Sequence, residues 1–105
     1  MTLWQRIESL DELDAYLRDL FGPDIQPSGT NGYQVMFTVA GKAKPVMSAL
    51  QEKTGKDGWG GESRFWFYRN DALNVSIGLS SVPGCVMVIA SIASLHHEAL
   101  KPYGA

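Results

Sequence analysis

From residue 64 to residue 95 the chain alternates strand-like runs with short turns, and that pattern constrains the fold more than any other stretch. Residues 64–69, 73–79 and 85–95 are rich in β-branched and aromatic side chains, with Asn70, Asp71 and Ala72 in the first gap and Pro83 and Gly84 in the second. Connections this short join neighbouring strands that run in opposite directions, so a three-stranded antiparallel meander is expected. Its last strand is apolar on both faces, which predicts a central place in the sheet with helices over one side.

Upstream, Ser9 and Glu12 have the spacing of a capping box and predict a helix that begins at Leu10. Leu10, Leu13, Leu17 and Leu20, with Tyr16 and Phe21 beside them, form one stripe; Asp11, Asp14, Arg18 and Asp19 take the other side. Gly22 and Pro23 end this helix, because proline has no amide to continue the ladder. In residues 33–39, Tyr33, Val35, Phe37 and Val39 alternate with Gln34, Met36 and Thr38, as in a strand. Residues 44–55 predict a second, shorter helix, with Pro45 in its first turn, Val46, Met47 and Leu50 on its apolar side and Gly55 at its close. Residues 56–61 are expected to be a glycine-rich loop, and residues 96–105 a tail or last half-turn. Residues 2–8 admit either an extra helical turn, from the capping-box spacing of Thr2 and Gln5, or an extended arm.

The expected fold is therefore α+β, in the order helix, strand, helix, strand, strand, strand. It is a two-layer sandwich in which a mostly antiparallel four-stranded sheet carries two helices on one face, with residues 1–105 forming one domain. The connection through the second helix is a candidate for a right-handed parallel crossover. With 45% hydrophobic and 19% charged residues, the chain has enough apolar surface to offset the entropy of ordering it.

Cys85 is the single cysteine and sits in an apolar run, so a buried thiol and a reducing, cytoplasmic location are expected. Trp4, Gln5, Arg6 and Glu8 interrupt the place where a secretory signal would need its apolar core. No apolar stretch approaches the ~18 residues of a spanning helix, and no membrane partner is expected. The formal charge is −2, but residues 1–41 carry two basic and six acidic groups, and residues 42–105 seven basic and five acidic. Such a polarised chain can orient a charged partner, although two solvated faces give the same count.

Three stretches invite a chemical reading. Gly55, Gly58, Gly60 and Gly61 with Lys56 suggest a phosphate loop, but these glycines follow a helix and lead into a strand, so the nearby helix end is negative. His96, His97 and Glu98 suggest a metal cluster. Adjacent histidines point to different faces in a strand or a helix, however, and no second His or Cys group completes the set, so no metal or cofactor is expected. The third stretch is the aromatic strand, whose alternation sets Arg64, Trp66 and Tyr68 on one face and Phe65, Phe67 and Arg69 on the other. No serine, cysteine and base come together as a catalytic set, and none is expected.

By elimination and by analogy of size, the expectation is a non-enzymatic binding protein that occludes another protein, in the style of small bacterial or phage inhibitors, immunity proteins and anti-CRISPR proteins. The expected anchors are Trp59, Arg64, Trp66 and Tyr68, with Asp11, Asp14 and Asp19 meeting a basic partner surface. The first alternative is single-stranded nucleic acid stacked on the aromatic sheet face, which the acidic balance disfavours. The second is small-molecule binding or a small enzyme, with a pocket that gathers His96 or His97 and a carboxylate. An uncovered aromatic face suits a second copy of the chain equally well.

Overall fold

Helix α1 (Leu10–Phe21) begins and ends where its caps predict in the computed structural model of the chain, which describes residues 4–62 and 64–100. The Ser9 hydroxyl accepts the Glu12 amide at 3.2 Å, and the backbone amide of Gly22, at φ 104°, returns to the Arg18 carbonyl. Leu13, Tyr16, Leu17 and Leu20 are the buried stripe. Residues 4–8 form no helix; the alternative that begins at Thr2 lies partly outside the described residues.

The chain continues through β1 (Gly29–Thr30), β2 (Gln34–Ala40), α2 (Ala43–Thr54), β3 (Trp59–Glu62), β4 (Phe65–Asn70), β5 (Val75–Val82), β6 (Cys85–Ile92) and α3 (Ala93–Leu100). All six strands join one antiparallel sheet in the order β1-β2-β6-β5-β4-β3. The meander is β4-β5-β6, and β6 is central, as its apolar character on both faces predicts.

The expected four-stranded sheet is thus corrected to six strands, and the two helices to three among the described residues. Both extra strands are short edge pieces. Gly29 and Thr30 pair with Met36 and Val35, while the glycine-rich segment expected as a loop pairs Trp59 with Tyr68 and Gly61 with Trp66. Glycine hides this strand from a propensity reading, yet the pairing requires it. At Gly61 (φ 109°) an added Cβ would lie 2.4 Å from the Phe65 carbonyl oxygen, and at Gly58 (φ 88°) 2.4 Å from that of Arg69. The run expected to remain strand to Leu95 stops at Ile92, and α3 takes over. The parallel crossover considered between the first strand and the strand at 64–69 does not form: pairing parity makes β4 antiparallel to β2, and the chain leaving α2 first adds β3 at the far edge of the sheet.

Helices α1 and α2 pack on one face of the sheet, against β2, β5 and β6. Phe37, Val88, Leu79, Ile77, Ala90, Val35 and Val86 fill the interface from below, and Leu13, Leu17, Leu20 and Leu50 from above. The N-terminal segment is tied to the β4–β5 turn by the Ile7 amide on the Leu73 carbonyl, at 2.9 Å. Among the described residues no helix is long and apolar enough to cross a membrane.

Candidate functional site

Among the described residues, the opposite face of the sheet carries no helix over most of its area. Strand alternation sends Phe65 and Phe67 of β4 to this side, together with Ser76, Gly78 and Ser80 of β5, Cys85, Met87 and Ile89 of β6, and Met36 and Thr38 of β2. The register lines up Gly60, Phe67, Gly78, Ile89, Met36 and Gly29 across all six strands. Phe65 (50% exposed), Phe67 (45%), Ile89 (38%) and Met36 (37%) are the exposed large apolar side chains of the sheet. The row across the six strands holds no charged residue. Five strand spacings of ~4.8 Å make this row about 24 Å long.

Glycine shapes this surface. The Phe67 ring lies over Gly60, so that a Cβ there would come within 2.7 Å of it, and the Phe65 ring lies over Gly78, 3.4 Å from where a Cβ would be. Each ring rests one side on bare backbone and leaves the other to solvent, with the two centroids 6.4 Å apart. The rings are therefore held in place before anything binds, which lowers the ordering cost of docking.

One end of this face is closed. Helix α3 turns onto it and brings the His96 ring to 3.5 Å from the Gln34 amide and 5.3 Å from the Tyr33 ring, while Gln34 also donates to the Ser91 hydroxyl. His96 and His97 border a hollow of about 170 Å³ with Arg69, Ser76 and Ala93. The described lining of this hollow contains no carboxylate. Nor does any group of three His, Cys, Asp or Glu side chains suited to a metal occur among the described residues. Cys85, expected to be buried, is half-buried on the open face, since its neighbour Val86 takes the inward position.

The expected anchors lie on the other side. Tyr68 is only 3% exposed; Trp66 and Trp59 are half-buried against the core, with the Trp59 ring 5.2 Å from Tyr68 and its indole N–H donated to Thr54 Oγ1. The alternation within 64–69 holds, but the row left outside is Phe65 and Phe67. This corrects the side chosen for the aromatic anchors. Arg64 is exposed beside β4, where its carbonyl accepts the Ser81 amide.

The acidic face of α1 is also partly engaged: Asp14 pairs with Arg18 at 2.9 Å, Asp19 accepts the Trp4 indole at 3.0 Å, and Asp11 is exposed. Because α1 lies across the sheet from the apolar stripe, one flat partner surface cannot meet both. The sequence did carry a signal for the open side in β5, where Val75, Ile77 and Leu79 alternate with Ser76, Gly78 and Ser80. Transferring that parity to β4 requires the register, which residue pattern does not supply.

No family model matches the chain, and neither a curated protein nor a solved structure matches it.

Proposed function

We propose that this protein is a non-enzymatic docking module that binds another protein through the open face of its sheet and acts by covering that partner's surface. The apolar stripe from Phe67 across Ile89 to Met36 carries the reading, because such a patch is costly to leave in water and is rigidly presented. An uncharged stripe fits an apolar, uncharged partner patch, with Arg69, on the same face of β4, as a rim contact. A small domain seated this way occludes whatever its partner would otherwise bind, in the manner of inhibitors and immunity proteins.

Photocrosslinking in the native host tests this. A benzoylphenylalanine at position 67 is expected to capture one other protein, an identical probe at the exposed Ala49 of α2 is not, and Ile89→Lys should abolish the product. Capture of only a second copy, of nucleic acid, or of nothing would overturn the proposal.

A second reading has one observation in its favour: Phe65 and Phe67 are exposed on a strand face that also carries Arg69, a stacking platform for single-stranded nucleic acid. The Arg69 guanidinium is already paired with Asp71 at 2.8 Å and the chain is acidic, so protein is the preferred partner. Oligonucleotide affinity that falls steeply with added salt would reverse this order.

A further inference from the structure

A cleft lies on the helical side, remote from the open face. It has a volume of about 600 Å³, and its walls include Trp4, Tyr16 and Tyr68 together with Asp19, Glu52 and Lys53. That volume is within the ~300–1,000 Å³ range of small-molecule sites.

Its charges are mixed, with the negative ones in excess. Asp19 lies in the last turn of α1, and Glu52 and Lys53 in the last turn of α2, so two helices direct their C-terminal ends at one cavity. Each such end carries about half a negative charge. The Lys53 ammonium donates to the Asp19 and Leu20 carbonyls, at 3.1 and 3.0 Å, and so is spent on the end of α1. Two carboxylates, two helix ends and one ammonium leave the cleft with a net charge of roughly −2.

Trp4 is the one half-buried ring along the cleft, while Tyr16 and Tyr68, 4% and 3% exposed, add little accessible surface. The Trp4 ring stands edge-on to Tyr16 with centroids 5.4 Å apart, fixed by the Trp4 indole hydrogen bond to Asp19, and the Tyr68 hydroxyl accepts an amide hydrogen of Asn70 at 2.9 Å. A cleft with an excess of negative charge beside an accessible indole favours a cation with an apolar body over an anion or a neutral molecule. A metal ion is a poor match, since no metal-binding group of carboxylates occurs among the described residues.

We infer that the cleft between the C-terminal ends of α1 and α2 is a second binding site, independent of the open sheet face, for a small organic ammonium with an aromatic or aliphatic body. The ammonium sits toward Asp19 and Glu52, and its body lies against Trp4.

Titration of the labelled protein with benzylammonium, benzyl alcohol and benzoate, followed by the indole N–H resonance of Trp4, tests the inference. Benzylammonium is expected to give a saturable shift, benzyl alcohol to bind about tenfold more weakly and benzoate not at all. Glu52→Gln, a change of charge alone at an exposed position, should weaken benzylammonium by about threefold without altering the fold. Equal binding of the alcohol, binding of benzoate, shifts confined to Phe67 and Ile89, or no saturable shift would each overturn it. None of these outcomes bears on docking at the open face.

Discussion

Asn74 shows what a single residue holds together here. It is 5% exposed and has φ 62°, in the left-handed region where asparagine is better tolerated than most residues. Its side-chain amide donates to the Ile7 carbonyl at 3.1 Å and the Ser94 hydroxyl at 2.7 Å, and its side-chain oxygen accepts the Ser94 amide at 2.8 Å. The N-terminal segment, the β4–β5 turn and the start of α3 thus meet on one side chain. Asn74→Ala removes these bonds and leaves alanine in a strained conformation, a loss expected to be about 2–4 kcal/mol in urea denaturation. Asn74→Gly should recover roughly 1 kcal/mol of it by relieving the strain alone. Equal losses for the two variants would mean that backbone strain plays no part. Nothing around Asn74 in the sequence announces this role, since its partners are 67 and 20 residues away. Ser9 and Glu12, by contrast, announce theirs, because capping is local. Even there, Glu12 meets the Ser9 hydroxyl at 3.0 Å and the Glu8 amide at 3.4 Å, not the Ser9 amide that the motif predicts.

The seam between α1 and β4 sets how the elements respond to pH. Tyr16 of α1 packs beside Tyr68 of β4, and its phenol is raised well above the usual value near 10, first by burial and then by Tyr68 and Asp19. The folded state therefore keeps a proton that the unfolded chain releases from about pH 10 upward. This stabilising contribution is intact below that pH and declines above it, so urea midpoints should fall as the solution is made more alkaline. Tyr16→Phe has no proton to lose there, and its midpoint should fall less over the same interval. An identical decline in the variant would assign the alkaline loss to other groups. At this scale α1, α2 and the meander are legible from period and punctuation alone. Strands β1 and β3 are not, because two residues or a run of glycines carry no period.

In the whole molecule, one sheet separates two surfaces of different character: helices and an acidic exterior on one side, an apolar stripe on the other. Stability and binding should therefore respond to different substitutions. Phe37→Ala, in the core, is expected to cost about 3–5 kcal/mol. Phe67→Ser, on the open face, should cost under about 1 kcal/mol while lowering the binding of a hydrophobic dye such as anilinonaphthalene sulfonate. Comparable losses of stability would show that Phe67 serves the fold more than a partner. Strand alternation by itself determined that Phe65 and Phe67 share one face and Trp66 and Tyr68 the other, because successive side chains in a strand point to opposite sides. Only the tertiary structure decided which row the helices cover. Both rows are apolar, so local pattern cannot rank them; the choice belongs to the β4–β5 register and to the side on which α1 and α2 pack, and these depend on the chain as a whole.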